Sequence, residues 1–259
     1  MMNRFKAFLA AGVALGALAA LPAQAATNVD LELSLLIDVS GSVDSTEYSL
    51  QMQGYRDAFA SAAVQNAIAG LTNGIAVNVI QWSGAAQQSQ VLGWTHLTDT
   101  TSTAAFAALL TPLINPVNRA FDGGLTAPGS VINVAVTGLL NNDFTGTRLV
   151  IDVSGDGSQN DGFNTATARA NALAAGITTI NGLPILGSEA NLDTWYENNI
   201  EGGTNSFTLP AANFAAFGGA IQTKLVAEIT DTPIPEPATM AVLGMGLLGL
   251  GFARRRRAG

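Results

Sequence analysis

The feature that most constrains the fold is an alternation of apolar strands with amphipathic helices. Residues 31–39 form a segment that becomes continuously apolar, as strands covered on both faces of a parallel sheet do. The next segment carries Tyr48, Met52, Tyr55 and Phe59 on one helical stripe. Strands separated by helices are joined by right-handed crossovers. The pattern predicts an α/β fold with a doubly wound, mostly parallel open sheet and helices on both faces.

The rest of the central segment continues the alternation. Further strands are predicted at 75–82, 90–94, 148–153, 178–184 and 206–209, and further helices at 102–113, 128–140, 164–175, 192–199 and 213–229. A short Gly/Ala/Gln turn joins the strands at 75–82 and 90–94, which predicts one antiparallel edge strand.

The N-terminal segment is predicted to be a targeting signal outside the fold. Residues 1–25 begin with basic residues, continue with an apolar run and end in an A-Q-A sequence at 23–25. This order is typical of a secretory signal peptide with its cleavage site. The alternative is an N-terminal membrane anchor, against which the short apolar run and the cleavage sequence argue.

The C-terminal segment also has the form of a targeting signal. Pro235, Glu236 and Pro237 precede an apolar stretch at 240–253, and four arginines follow at 254–257. This order predicts a stiff proline linker, a short transmembrane helix and a basic cluster kept on the inner side of the membrane. The predicted parts of the chain are therefore a signal peptide (1–25), one domain (26–229), and a linker with a sorting signal (230–259).

The composition of the central segment excludes several kinds of chemistry. Residues 26–235 contain five basic and eighteen acidic residues, a formal charge of −13, so a nucleic-acid partner is excluded. The chain has no Cys and a single His, His96, which excludes disulfides and thiolate metal sites. A nucleophile elbow of the form G-x-S-x-G around Ser40 or Ser154 and a phosphate loop are also absent from the sequence. We therefore expect that the protein is not an enzyme.

Oxygen-bearing side chains follow the ends of two predicted strands. Asp38, Ser40 and Ser42 form a D-x-S-x-S pattern after the first strand, and Asp156 follows the strand that begins at 148. Thr126 lies between them, just before a predicted helix. Ligands of open α/β sheets bind at the carboxyl ends of strands, where the strand order reverses. Carboxylate and hydroxyl oxygens suit Mg²⁺, Ca²⁺ or Mn²⁺, so the oxygen-bearing side chains at these strand ends predict a site for a divalent cation.

Nearby polar residues have other predicted roles. Asp152 lies four residues before Asp156, about 13 Å along a strand, and is expected to form hydrogen bonds inside or beside the sheet. Asp44 is expected to cap the first helix. Asn160 and Asp161 are expected to be ordinary loop residues.

With these motifs in place, the segment from about 28 to 229 resembles a von Willebrand factor type A (VWA) domain. It is similar to exported bacterial VWA-like proteins of unknown function with DVSGSVD, WSG, GLT and VIDVSGDG stretches. The resemblance implies a VWA/Rossmann-like fold with strand order 3-2-1-4-5-6. It also implies a metal-ion-dependent adhesion site, in which two serines bind the ion directly while a threonine and an aspartate bind it directly or through water. By position, the ligands would be Asp38, Ser40, Ser42, Thr126 and Asp156.

The C-terminal segment resembles the PEP-CTERM sorting signal of Gram-negative bacteria, with Pro235, Glu236 and Pro237 as its signature. In that family an exosortase, a membrane cysteine transpeptidase, cuts near the motif and releases or relocates the exported protein. The resemblance implies transient anchoring in the inner membrane, followed by a location at the cell surface or outside the cell.

Together these observations predict an exported, non-enzymatic binding or adhesion module that depends on a divalent cation. Its ligand would be a protein or a polysaccharide, and an acidic group of that ligand would complete the shell of the ion. The alternative is a structural component of an exopolysaccharide or biofilm matrix, in which the metal only stabilises the fold. A ligand that binds only with metal present would favour the first function.

Overall fold

The structure is a computed structural model that describes residues 25–232. The predicted signal peptide up to residue 24 lies outside the described residues, as do Pro235, Glu236, Pro237 and the transmembrane helix predicted at 240–253. Within the described part of the chain, none of the helices combines the length and the apolar character needed to cross a membrane.

Strands and helices alternate through the described residues. The strands are β1 (Thr27–Asp38), β2 (Ile75–Trp82), β3 (Gln88–Leu97), β4 (Phe144–Gly155), β5 (Thr179–Pro184) and β6 (Gly202–Gly203). The α-helices are α1 (Ser45–Ala60), α2 (Ala62–Ala69), α3 (Thr100–Leu110), α4 (Pro128–Leu140), α5 (Thr165–Ala174), α6 (Leu192–Asn199) and α7 (Phe217–Thr230). Short 3-10 segments cover Thr111–Ile114, Pro116–Asn118 and Phe214–Ala216.

The strands form one sheet in the order β3-β2-β1-β4-β5-β6. β1 lies at its centre and pairs in parallel with both β2 and β4, while β3 runs antiparallel to β2 at one edge. The doubly wound sheet, its strand order and the antiparallel edge strand are therefore confirmed. The order reverses at β1, so the carboxyl ends of β1 and β4 are neighbours.

The opposite edge differs from the sequence prediction. The last strand is Gly202–Gly203, antiparallel to β5, and not the predicted segment 206–209. In that segment Thr208 makes only an isolated bridge to Gly182. The ladder does not continue because the backbone N–H of Phe207 donates to the side chain of Asn181.

Two apolar layers cover the sheet. Helices α1, α2, α3 and α7 pack on one face, and α4, α5 and α6 pack on the other. The predicted stripe of Tyr48, Met52, Tyr55 and Phe59 is fully buried in the first layer, as expected. Asp44 caps α1 through the backbone N–H groups of Thr46 and Glu47, which confirms its predicted role. Helix α2 was not predicted.

Candidate metal centre

The topology brings the predicted site residues to one edge of the sheet. Asp38 is the last residue of β1, and Asp156 directly follows β4. Ile37 pairs with Ser154, so these two strand ends lie side by side. Ser40 and Ser42 belong to the turn between β1 and α1, and Thr126 lies two residues before α4.

Hydrogen bonds connect four of the five residues. The backbone N–H of Ser40 donates to Oδ1 of Asp38 over 2.7 Å. The Ser40 and Ser42 hydroxyl oxygens are 3.2 Å apart, and the Ser42 hydroxyl donates to Oδ1 of Asp156 over 2.7 Å. The carboxylates of Asp38 and Asp156 are thus linked through the backbone N–H of Ser40 and the hydroxyls of Ser40 and Ser42.

The Thr126 loop is held beside this network by residues that were predicted to be ordinary loop residues. Asn160 accepts a hydrogen bond from the Thr126 N–H over 2.7 Å, and its own N–H donates to the Thr126 carbonyl. The backbone N–H of Asp161 also donates to the Thr126 carbonyl over 3.2 Å, and its carboxylate accepts from the N–H of Ala85 over 2.7 Å. A Cβ atom built on Gly157, which follows the second aspartate, would lie 3.7 Å from the Thr126 hydroxyl. Asn160 and Asp161 therefore position the fifth candidate ligand.

The two carboxylates lie in an environment that disfavours their charge. Asp38 is fully buried, and its Oδ2 has no hydrogen-bond partner among residues 25–232. Burial, and then the charge of Asp156, raises the pKa of Asp38 to about 7. Burial also raises the pKa of Asp156, and the Ser42 hydroxyl partly offsets that effect. A cation beside these groups would satisfy the free oxygen and offset the repulsion, so the residues present fit a divalent ion.

Gly155 allows the buried carboxylate to lie where it does. A Cβ atom at this position would lie 2.6 Å from Oδ2 of Asp38 and 2.9 Å from the hydroxyl of Tyr196. Both distances are shorter than real contacts of a Cβ atom. The glycine before Asp156 is therefore required by the packing of Asp38 against β4.

Sequence reasoning did not assign Arg119 to the site. Its guanidinium group donates to the carbonyls of Val39 and Ser40 over 2.6 and 2.7 Å, and to that of Val43 over 2.9 Å. It also lies 5.6 Å from the ring centre of Tyr48. These bonds fix the backbone of the turn that carries the Ser40 and Ser42 hydroxyls. In the sequence, Arg119 could have been singled out because it is one of only five basic residues between 26 and 235.

A groove of about 310 Å³ adjoins the centre. Leu50, Leu186 and Phe214 contribute apolar surface to it. Ser188 also lines the groove, and its hydroxyl donates to the backbone carbonyl of Asp156 over 2.5 Å. The candidate centre is thus bordered by a recess that can accept an apolar group.

The candidate centre differs from metal sites that are built from three or more histidine, cysteine or carboxylate side chains. Within residues 25–232, no three His, Cys, Asp or Glu side chains come together as a metal site. The candidate centre instead combines two carboxylates with three hydroxyls. His96 lies far from this centre. It pairs with Ala76, which pairs with Glu32 of β1, and Glu32 lies six residues, or about 20 Å along the strand, before Asp38.

The strand order, together with this turn at the switch point, defines the class as a VWA-like domain. The chain belongs to the family described as protein of unknown function (DUF1194), which matches residues 28–233. The PEP-CTERM protein-sorting motif matches residues 233–257. Among curated proteins, none matches the chain.

Solved structures with this fold include matrix and pilus proteins. Proximal thread matrix protein 1 from the mussel byssus has a TM-score of 0.55 at 16% identity, over 80% of this chain and 50% of that chain. A second structure of it, with a zinc-occupied MIDAS motif, has a TM-score of 0.54 at 16% identity, over 79% and 49% of the two chains. The pilus adhesin SpaC from Lactobacillus rhamnosus GG has a TM-score of 0.54 at 13% identity, over 78% and 30%. The chain therefore spans half or less of these proteins, and the likeness shows the fold alone.

Proposed function

We propose that the domain is a non-enzymatic binding module that holds Mg²⁺, Ca²⁺ or Mn²⁺ at Asp38, Ser40, Ser42, Thr126 and Asp156. The observation that carries this proposal is the buried Oδ2 of Asp38, which has no partner among the described residues and faces the added repulsion of Asp156. A bound ion would supply positive charge and an open coordination position for an oxygen atom of a partner.

The charge of the domain gives the ion a role in recognition. Residues 26–235 carry a formal charge of −13, which repels an acidic partner. A cation at the rim offsets that repulsion locally, so an acidic group of a protein or polysaccharide ligand can approach there. The groove beside Ser188 can take an apolar group next to that acidic one.

Retention on the outer surface of the source organism tests the binding function. The probe is the purified full chain, applied to the isolated cell-surface fraction with Mn²⁺ or with chelator. Wild-type protein should be retained only with Mn²⁺, and Asp38→Asn should not be retained under either condition. Asp57→Asn is the matched control, because Asp57 is exposed on α1 and its ion pair among the described residues is with Arg56. Retention that ignores both chelator and Asp38→Asn would refute the proposal.

The second candidate is a structural component of an extracellular matrix. The observation in its favour is the shared fold with a thread matrix protein of the mussel byssus. In this case the metal would stabilise the domain without creating a binding site. A melting temperature that rises with metal, while retention stays independent of it, would support the matrix function.

We also propose that the chain is processed at both ends, as the sorting motif at 233–257 supports. The mature protein would begin at or near Ala26, and an exosortase would remove the segment after Pro237. The intermediate would be anchored in the inner membrane, and the product would lie at the surface of a Gram-negative cell or outside it. Intact mass of the protein from its own host tests this. A form that retains residues 254–257 outside the inner membrane would contradict it.

A further inference from the structure

A second group of ionisable side chains lies under α7, in the core and away from the candidate metal centre. Lys224 of α7 is fully buried, as is Asp152 of β4, and Glu228 follows one helical turn later with 3% of its surface exposed. Nζ of Lys224 lies 2.7 Å from Oδ1 of Asp152 and donates to Oε1 of Glu228 over 2.5 Å. An amine and two carboxyl groups therefore meet at one point inside the fold.

The surroundings of this triad bury its members and hold them in place. The side-chain amide of Asn181 donates to Oε1 of Glu228 over 2.8 Å. The ring of Phe207 lies 5.6 Å from Nζ of Lys224. On the other side, the hydroxyls of Tyr55 and Ser154 are 3.0 Å apart and buried. In such an environment neutral species are favoured over a separated ammonium and carboxylate.

The contact between Lys224 and Asp152 is close without being an ordinary hydrogen-bonded ion pair. Both carboxylate oxygens of Asp152 are buried, and neither accepts a hydrogen bond from the described residues. Burial, and then the charge of Asp152, raises the pKa of Glu228 to about 7. Glu228 can therefore both hold and release a proton near neutral pH, beside the amine.

We propose that Lys224 and Asp152 condense to form an intramolecular isopeptide bond, with Glu228 as the proton carrier. A proton first passes from the ammonium group of Lys224 to the carboxylate of Asp152, which leaves both groups neutral. The lone pair of Nζ then forms a bond to Cγ of Asp152. Glu228 takes one proton from Nζ and delivers it to the hydroxyl group of the Asp152 carboxyl. The C–O bond breaks, one water molecule leaves, and Glu228 returns to its starting state.

The reaction needs no further reagent. Nothing is oxidised or reduced, and the chain itself provides the nucleophile, the acyl group and the proton carrier. Groups held in contact react with effective concentrations of about 10⁵–10⁸ M, which replaces the activation that amide formation needs in solution. The apolar surroundings favour the neutral amide over the two separated charges.

The position of the bond gives it a mechanical use. Helix α7 is the last helix of the described residues, and the matched sorting motif begins only a few residues after it. β4 lies next to the central strand of the sheet. A bond between them would carry tension from the C-terminal segment into the sheet, in a chain that has no cysteine with which to make a disulfide.

A tryptic map of the purified full chain tests the bond directly. Trypsin cuts after Arg148 and Arg169, so the peptide 149–169 contains Asp152. In the wild type this peptide should appear only joined to the peptide that begins at 170 and passes uncut through Lys224. The joined species should be lighter than the sum of its parts by one water molecule. A folded wild-type chain that yields the free peptide 149–169 and cleavage after Lys224 would overturn the proposal.

Three variants separate the roles within the triad. Lys224→Arg keeps the positive charge but lacks the attacking amine, so it should yield no joined peptide. Glu228→Gln removes the proton carrier, and the bond should form about a hundredfold more slowly. Glu201→Gln, outside the triad, is the control and should be joined completely. Undiminished joining in Glu228→Gln, or any joining at Lys224→Arg, would contradict the assigned roles.

Discussion

The two aspartates associated with β4 lie in contrasting settings, although only four residues separate them. Asp156, at the carboxyl end of the strand, contacts the Ser42 hydroxyl, and its backbone carbonyl accepts a hydrogen bond from Ser188, which lines a groove. Asp152, inside the strand, lies beside the amine of Lys224 in the core. In the first setting, the carboxylate has hydroxyl groups as neighbours and no cationic side chain of its own among the described residues. The second places the carboxyl group against the amine with which we propose that it reacts.

This difference shows how depth in the sheet decides what a carboxylate can do. At the rim, charge is left unbalanced between Asp38 and Asp156, and an ion from solution can complete the site. In the core, the partner of Asp152 is the amine of Lys224, and the proposed bond between them leaves neither group charged. We therefore expect the rim to serve binding and the triad of Asp152, Lys224 and Glu228 to serve stability.

The largest effect is expected from Lys224→Met. Without the amine, neither the contact with Asp152 nor the proposed bond can form, and two carboxyl groups are left buried without a partner, which should destabilise the domain by about 3–5 kcal/mol. For a domain of this size that lowers the melting temperature by roughly 10 °C or more. Thermal unfolding followed by circular dichroism measures this. An unchanged melting temperature would remove the contrast between the two regions.

A smaller loss of stability is expected from Asp152→Ala, because Glu228 remains as a partner for Lys224. The free energy of unfolding should fall by about 2 kcal/mol through lost packing and the loss of the contact and proposed bond between Asp152 and Lys224. Metal binding at the rim should stay mostly intact, since Asp152 lies about 13 Å from Asp156 along the strand. Thermal unfolding and calorimetric titration of the same sample measure both quantities. Loss of the metal without loss of stability would reverse the two roles.

Asp38→Asn should act in the opposite direction on stability in the presence of chelator. The amide removes a buried charge that has no partner for Oδ2, so the metal-free domain should gain about 1 kcal/mol. The folded pKa of Asp38, about 7, lies above its ordinary value of 3.8. The wild type therefore loses stability as the pH rises from about 4 to 7, and the advantage of Asp38→Asn should grow over that range. Melting curves at pH 5 and pH 8 test this, and an advantage that shrinks with pH would contradict it.

The smallest effect is expected from removing the metal from the wild type. The core consists of the sheet and its two helix layers, so the domain should stay folded in chelator. Metal at ten times its dissociation constant should stabilise it by only about 1.4 kcal/mol, a few degrees in melting temperature. Loss of secondary structure on chelation would show that the ion is structural.

The sequence predicted the elements whose signals are local. The apolar stripe of α1, the bounds of α4 and α6, and the cap at Asp44 all follow from spacing within a few residues. The strand order required the resemblance to a VWA domain, because pairing between distant strands leaves no local trace. Segment 206–209 has the composition of a strand, yet the side chain of Asn181 replaces a backbone partner there. That contact exists only in three dimensions.

The candidate site shows the same division. The spacing of Asp38, Ser40 and Ser42 is visible in the sequence, but the Arg119 clamp on the carbonyls of their turn joins residues about 80 positions apart. The partnership of Asp152 with Lys224 was equally hidden, since the sequence predicted only a role in or beside the sheet for Asp152. Such long-range partners depend on how α7 packs on the sheet.

Isothermal titration of Mn²⁺ into the wild type, Asp38→Ala and Asp152→Ala tests the central claim most directly. The wild type should bind one ion with micromolar to millimolar affinity, as is usual for exposed extracellular sites. Asp38→Ala should give no binding heat, and Asp152→Ala should bind nearly as the wild type does. Binding that survives in Asp38→Ala and disappears in Asp152→Ala would show that the ion is not held at the carboxyl ends of β1 and β4.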